Sequence, residues 1–182
     1  MSKNPPLEKY QICLMVADGE QQITYHSLTS GESSRWIAPH ALAYSQGRWY
    51  IRAWSRERND FRDFNINRIE NVVGARSVEI STDLDYEWNT FFDLVLQPNP
   101  QLDEDTRQWV AAEYEMTDDR IVVSVRLSLI FYVMSEHNLD VAPGILPPQK
   151  QQLVLINRDE VEAARSVARK MSSDALKRAV QR

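Results

Sequence analysis

Residues 38–69 read APHALAYSQGRWYIRAWSRERNDFRDFNINRI, and this stretch decides the fold of the first half of the chain. Its aromatic and β-branched residues alternate with polar ones, which is typical of strands. The joints SQG at 45–47 and SRERND at 55–60 consist of turn residues. The stretch therefore predicts three consecutive strands, within residues 36–44, 48–54 and 61–69.

Two further segments extend this pattern on either side. QITYHSL at 22–28 precedes it, after which TSGESS is a predicted turn, and SVEIS at 77–81 follows it. Five short strands at this spacing predict a small twisted antiparallel β-barrel over residues 21–81.

The rest of the chain alternates between strand and helix patterns. Strands are predicted for FFDLVLQ, RIVVSVRLS and QLVLIN, and helices for LDEDTRQWVAAEYEM, LIFYVMSEHN and the basic C-terminal segment. The order β-α-β-α-β-α predicts a ferredoxin-like α+β module with a terminal helix over residues 82–182.

The apolar faces of two of these helices follow from their spacing, and Asn157 with Glu160 three residues later predicts the cap of the last helix. The residues predicted on the two faces are Trp109, Ala112 and Met116 in the first helix, and Val161, Ala164, Ala168 and Met171 in the last.

The N-terminal segment carries a different pattern. LEKYQICLMVA at 7–17 predicts a short helix, so we assign residues 1–20 to an N-terminal linker helix. The beginning of the chain has no apolar core of a signal peptide, and no segment reaches the roughly 20 apolar residues that cross a bilayer. We therefore expect a cytoplasmic protein without a membrane partner.

Charge is segregated along the chain. Residues 35–68 hold seven arginines against three acids, whereas residues 83–119 hold eleven acids against one arginine. No lysine lies between Lys9 and Lys150, so arginine supplies the positive charge of the body of the chain. A planar guanidinium suits phosphate and carboxylate groups, although a compositional preference for arginine explains the same pattern.

The sequence contains no group of residues at the spacing of a catalytic or metal-binding motif. The three histidines are far apart, the single cysteine, Cys13, rules out a disulfide within the chain and a cysteine-based zinc site, and no glycine-rich phosphate loop exists. We predict no catalytic residue, no metal site, no cofactor and no enzymatic activity. A hydrolase that uses Asp83, Asp85 and Glu87 is a distant alternative.

Five motifs in order over roughly residues 7–160 resemble the WYL-domain transcriptional regulators, and in detail the repressors that sit beside bacterial anti-phage defence operons. They begin with a Tyr-x-Ser strand in ITYHS, a Pro-x-x-Leu strand in APHAL and the triplet Trp49-Tyr50-Ile51. An R-x-F-x-x-x-R-I pattern from Arg62 to Ile69 closes the barrel, and PNP with PPQKQQLVLIN matches the C-terminal module of those proteins.

This resemblance implies a fold and a set of partners. It implies an Sm/SH3-like barrel as the WYL domain, and a C-terminal module that forms a homodimer. Such repressors contact DNA through a winged helix-turn-helix, which we expect to be absent from this chain.

The resemblance also implies a ligand surface on the barrel. Guanidinium, hydroxyl and aromatic groups suit a single-stranded nucleic acid, a cyclic oligonucleotide or a nucleotide second messenger. Alternatively, Arg62 or Arg68 pairs with Asp60 or Asp63 and only stabilises the barrel. The candidate ligand-binding residues are Tyr25, Ser27, His40, Arg48, Tyr50, Arg52, Arg62 and Arg68.

Two functions follow from this reading. The first is the ligand-sensing and dimerisation part of a transcriptional regulator, in which an effector shifts the dimer between operator-competent and released states. The second is a stand-alone WYL accessory protein that binds single-stranded nucleic acid or modulates a nuclease. An upstream reading frame that encodes a winged helix-turn-helix would favour the first.

Overall fold

The computed structural model describes residues 19–180, so the predicted helix over 7–17 and Cys13 lie outside the described residues. The described chain forms two compact units. The first holds residues 19–85 together with 170–180, and the second holds Tyr86–Arg169. The predicted division of the chain at residues 81 and 82 stays a prediction.

The first unit is built on a five-stranded antiparallel sheet with the order β4-β3-β2-β1-β5. Its strands are β1 (Glu20–Ser27), β2 (Gly31–Ser45), β3 (Arg48–Ser55), β4 (Asp60–Asn65) and β5 (Ile69–Arg76). The prediction of a strand at 77–81 is wrong, because the fifth strand is β5 and ends at Arg76. The two apolar residues of that segment, Val78 and Ile80, instead pack against Trp54 and Phe61.

Strand β2 contains a bulge that matters for the site. Its pairing with β3 shifts between Pro39 and Ala41, so His40 is an extra residue in the ladder. Proline has no N–H to donate, and such positions favour bulges. The extra residue lies next to Ala41, which is paired with Arg52.

The sheet curls but does not close. The chain passes from β4 to β5, the two edge strands, through a single 3-10 turn, Ile66–Arg68, so Asn65 and Ile69 are at most about 14 Å apart. Within residues 19–180, no ladder of hydrogen bonds joins β4 to β5. The prediction of a closed barrel is therefore wrong, because the 3-10 turn stands where the closing ladder would begin.

The two faces of β3 pack differently, as its alternation predicts. Ile51 and Ala53 belong to an apolar core on one face of the sheet, where Trp49 also packs. Trp54 lies on the opposite face, in a cluster with Phe61 and Leu176.

The second unit contains a three-stranded antiparallel sheet with the order β7-β6-β8. The predicted order β-α-β-α-β-α is confirmed, whereas the ferredoxin-like assignment stays a prediction. None of the helices between residues 19 and 180 is long and apolar enough to cross a membrane. The elements of the second unit, in chain order, are α1 (Tyr86–Asn89), β6 (Phe91–Pro98), α2 (Glu104–Glu113), β7 (Ile121–Arg126), a 3-10 turn (Leu127–Leu129), α3 (Ile130–Glu136), β8 (Leu153–Leu155) and α4 (Arg158–Val180). Helix α4 continues into the first unit.

The helix faces correct two predictions. Trp109 is 77% exposed, and Val110 is the residue of α2 that is buried in the core. In α4, Val161 and Ala168 are buried as predicted, but Met171 is exposed and Ser172 takes the buried position.

Asn157 directly precedes α4, as predicted, and its carbonyl accepts a hydrogen bond from the Val161 N–H, but its side chain does not cap the helix. Its side-chain oxygen accepts a hydrogen bond from the Val95 N–H at 3.0 Å, and its amide donates to the Asp93 carbonyl at 2.9 Å. Asn157 therefore attaches its segment to β6.

Candidate ligand-binding site

A buried arginine lies at the centre of the polar group on one face of the first sheet. The Nε and Nη2 atoms of Arg52 donate to the two carboxylate oxygens of Asp85 at 2.7 and 2.8 Å. A third bond runs from Nη1 to Asp63 at 3.3 Å, across the β3–β4 pair. Paired N–H···O bonds of this kind fix a carboxylate in one orientation.

His40 completes this group. Its Nε2 lies 3.0 Å from Asp85 Oδ2, and its ring contacts the Phe61 ring edge-on at 5.5 Å between centroids. The bulge in β2 explains this position, because the extra residue can present its side chain on the same face as Ala41 and Arg52. The imidazole and the guanidinium thus hold one carboxylate.

The charge state of Asp85 follows from its surroundings. Asp85 is completely buried, and burial alone would raise the pKa of its carboxyl. Hydrogen bonds from Arg52 and His40, together with their charges, outweigh burial and lower that pKa below its ordinary value. Asp85 is therefore an anion at neutral pH.

A cavity of about 280 Å³ lies beside His40. Trp54 and Phe61 contribute aromatic walls, Val78 and Ile80 contribute apolar ones, and Thr82 adds a hydroxyl. The cavity is slightly below the usual size range of small-molecule pockets, and its lining of aromatic residues with a few polar groups is typical of them.

Two of the candidate ligand residues stabilise the fold. Tyr25 is buried, accepts a hydrogen bond from the Asn65 N–H at 3.3 Å and packs edge-on against Phe64. The hydroxyl of Ser27 accepts from the N–H groups of Thr29 and Ser30, so it stabilises the turn that follows β1.

The remaining candidates are more accessible. Arg48 is exposed and Tyr50 is half-buried, both on the face of β3 that carries Arg52. Arg62 lies on the edge strand β4, and Arg68 ends the 3-10 turn between β4 and β5.

The eight candidates therefore do not form one cluster. His40 and Arg52 are brought together by Asp85, while Arg62 is paired with Ala53 in the ladder and so belongs to the other face of the sheet. Arg62 lies 3.6 Å from Asp60 and is 48% exposed, so the expected ion pair exists but is a weak surface contact. Asp63, in contrast, pairs with Arg52.

Asp85 is the residue of this buried group whose partners sequence reasoning missed. It was grouped with Asp83 and Glu87, but the three acids have different partners. Asp83 binds the hydroxyl of Ser81, and Glu87 pairs with Arg169. No local signal connects Asp85 with Arg52, 33 residues earlier, whereas Asp63 lies directly opposite Arg52 in the ladder.

A second buried carboxylate occurs in the same unit. Glu20 accepts hydrogen bonds from Arg56 and Arg76, and the bonding of Arg56 to Glu20, above all other causes, raises the pKa of Arg56. Arg76 also stacks on Trp36 at 3.8 Å from its ring centroid. Both arginines are partly exposed, so Glu20 and its two partners do not enclose a cavity. They connect the start of β1 with the end of β5 and with the residue that follows β3.

Three side chains on neighbouring strands have the right types to bind a metal ion. His26, Glu32 and Glu70 place their ligand atoms within 4.8 Å of one another, and all three are exposed. His26 Nε2 is 3.0 Å from Glu70 and 3.7 Å from Glu32, so hydrogen bonding between the imidazole and Glu70 explains the closeness of these side chains without a metal ion.

Two protein families match this chain. Residues 19–73 match the WYL domain, and residues 91–161 match the BrxR transcriptional regulator C-terminal dimerization domain. The two matches follow one another along the chain without overlap.

Curated relatives have the same name in several bacteria. The DNA-binding transcriptional repressor CapW of Pseudomonas aeruginosa is 34% identical over 142 residues, which are 78% of this chain and 48% of the relative. CapW of Escherichia coli strain KTE188 is 32% identical over 84% of this chain and 52% of its own length. The chain thus spans about half the length of these relatives.

A solved structure is also similar, at a lower level. Proteasome accessory factor B/C of Arthrobacter aurescens is 13% identical and has a TM-score of 0.37, over 94% of this chain and 28% of that one. This likeness is too low to support an argument about fold or function.

Proposed function

Since this chain carries a WYL domain followed by the C-terminal dimerization domain of BrxR transcriptional regulators, we propose that it is the ligand-sensing and dimerisation part of a transcriptional repressor. The observation that carries the proposal is this order of two domains, together with identity above 30% to CapW repressors over more than three quarters of the chain. A repressor of this kind acts on DNA in the cytoplasm.

The effector that we propose is a nucleotide or a nucleic-acid fragment, bound by the curled, Sm/SH3-like sheet of the WYL domain. Arg48, Arg62 and Arg68 support this proposal, because they supply guanidinium groups at accessible positions of that sheet. Arg48 lies on the face of Arg52 and Arg62 on the opposite face, so the proposed effector contacts both faces across the edge strand β4. Phosphate oxygens accept paired hydrogen bonds from guanidinium, and an aromatic side chain such as Tyr50 can stack on a base.

The second unit is the proposed homodimer contact, formed with a second copy of this chain. The name of the matched dimerization domain supports this partner. The β6–β7 sheet offers a suitable surface: its inner face, with Leu94 and Leu96, is in the core, whereas Phe91 and Val122 on its outer face are 55% and 57% exposed. Phe91, Val95 and Val122 on this outer face alternate with Asp93, Ser124 and Arg126, and exposed apolar residues among polar ones are typical of interfaces between chains.

DNA recognition is proposed for a winged helix-turn-helix outside residues 19–180. The chain has a net charge of −5, which disfavours tight indiscriminate binding to DNA, because that binding depends on neutralising phosphates. We therefore expect this chain to contribute sensing and dimerisation.

The test of effector binding is a fluorescence titration of the purified chain with labelled short single-stranded oligonucleotides, and with cyclic nucleotides as competitors, at two salt concentrations. We expect saturable binding that weakens with salt, and a loss of about tenfold in Arg62→Ala or Arg68→Ala. Arg120→Ala, an exposed arginine of the second unit, is the matched control and should bind like wild type.

Two results would count against this assignment. Equal binding by wild type and both variants would exclude these arginines from the effector surface. Unfolding of Arg62→Ala or Arg68→Ala would show that the side chains are structural. Circular dichroism and size-exclusion chromatography on the same samples separate the two cases.

A further inference from the structure

The carboxylate of Asp85 occupies a position suited to a bound anion. Two parallel N–H groups of Arg52 and the imidazole of His40 converge on its two oxygens at 2.7–3.0 Å. This is the donor arrangement with which proteins bind phosphate or carboxylate groups of ligands. Both donors come from the WYL sheet, whereas Asp85 comes from the segment that follows the sheet.

The space for the rest of a ligand lies next to this position. His40 contacts Asp85 and also lines the cavity whose walls include Trp54 and Phe61. The aromatic walls suit a planar ring, and Thr82, the first residue of the 3-10 turn Thr82–Leu84, also lines the cavity. Arg52 does not line the cavity and is buried behind this contact, so the anionic group of a compact phosphate ester would reach Arg52 through the place that the Asp85 carboxylate leaves, while the rest of the ligand stays in the cavity beside His40.

We propose that Asp85 is an internal competitor for the effector: one anionic group of the effector replaces the Asp85 carboxylate on Arg52 and His40, on the face of the sheet opposite Arg62. The proposal rests on the proposed function and adds its regulation. No covalent bond changes, because one carboxylate leaves for solvent and one phosphate takes over its hydrogen bonds.

The exchange has a structural consequence. Asp85 is the last residue of the first unit, and Tyr86 begins the second. Replacement of Asp85 releases the side chain that fixes the chain at this boundary, so the bound and free states differ there. A ligand shifts a two-state protein only through such a difference in affinity between states.

The test compares wild type with Asp85→Asn in calorimetric titrations with pyrophosphate and with adenosine monophosphate. The amide keeps the shape of the carboxylate but removes the competing charge, so we expect Asp85→Asn to bind at least one probe about tenfold more tightly than wild type. Asp83→Asn is the matched control, since it removes the same charge from the same turn but contacts Ser81 rather than Arg52. It should bind like wild type.

Binding by a folded Asp85→Asn that is no tighter than binding by wild type overturns the proposal. The oligonucleotide titration of wild type and Arg62→Ala is a separate result, so the proposed function can stand while this inference fails. If Asp85→Asn does not fold, the NMR signal of the Arg52 Nε–H in wild type decides. A saturable shift on addition of pyrophosphate supports replacement of Asp85, and an unchanged signal up to the solubility limit of the probe refutes it.

Discussion

At the scale of single residues, Arg52 is the buried cation on which its neighbourhood depends. Asp85 and Asp63 compensate its charge, and loss of the guanidinium would remove a hydrogen-bonded cation from both carboxylates. Removing one partner of a buried pair costs about 3–5 kcal/mol. We expect Arg52→Met to lower the free energy of unfolding by that amount in urea titrations. Arg62→Met, which removes an exposed pair, should cost less than about 1 kcal/mol. Similar losses in both variants would contradict the buried role of Arg52.

The lowered pKa of Asp85 predicts a pH dependence of stability. Its carboxyl binds a proton less readily in the folded state than in the unfolded chain, so its contribution is complete above the unfolded pKa, about 4. That contribution disappears as the pH falls through the folded pKa. Unfolding measured between pH 7 and pH 2.5 should therefore show a smaller loss of stability on acidification in Asp85→Asn than in wild type. Parallel pH profiles would exclude Asp85 as a source of acid sensitivity.

The same residues show what the sequence can predict at this scale. The alternation of β3 is local, so the opposite placement of Ile51 and Trp54 was predictable. The partner of Arg52 was not, because Asp85 reaches it only after the chain has completed the sheet. The eight candidate ligand residues form a single group in the sequence analysis for the same reason: the sequence does not reveal which arginine already has an internal carboxylate.

At the scale of elements, turns are the features that the sequence predicts best. Gln46 and Gly47 both adopt positive φ between β2 and β3, as expected for the SQG joint. Bulges and strand ends depend on the neighbouring strand, so the shift at Pro39 and the end of β5 at Arg76 were not predicted. A strand pattern at 77–81 was overridden because its apolar side chains pack against Trp54 and Phe61.

The turn between β3 and β4 gives a prediction about one element. Asn59 has a φ of +46°, and its side-chain oxygen accepts a hydrogen bond from the buried Trp54 Nε1 at 3.1 Å. Asn59→Ala removes this acceptor and places alanine in the left-handed region, which together should cost about 2–4 kcal/mol in chemical denaturation. Asn59→Asp keeps an acceptor and tolerates this φ, so it should lose much less. Equal stability of the two variants would exclude this turn as a stabilising feature.

At the scale of the whole molecule, the sequence predicted two modules from a change of period and of charge. Strand alternation predicts the first module up to residue 81, whereas the last strand of the first sheet ends at Arg76; the predicted β-α-β-α-β-α order then follows. Helix α4 belongs to the second unit up to Arg169 and to the first unit from Lys170 onward. The helical pattern of its sequence is uniform, so it does not indicate this division. The prediction that the first sheet closes into a barrel was wrong. Closure depends on hydrogen bonds between the two edge strands, β4 and β5, and the sequence of a single strand does not show whether they form.

Dimerisation through the second unit predicts which surface substitution separates the protomers. Val122 lies opposite Val95 on the outer face of the β6–β7 sheet, so Val122→Glu should place a charge in the proposed contact without disturbing the core. We expect light scattering after size-exclusion chromatography to give twice the 21.1 kDa chain mass for wild type and a monomer for Val122→Glu. Val73→Glu is the matched control, since Val73 is 62% exposed on β5 of the first unit, and it should stay dimeric. A dimer that persists in Val122→Glu would move the contact to another surface, and a wild-type monomer would remove dimerisation from the function of this chain.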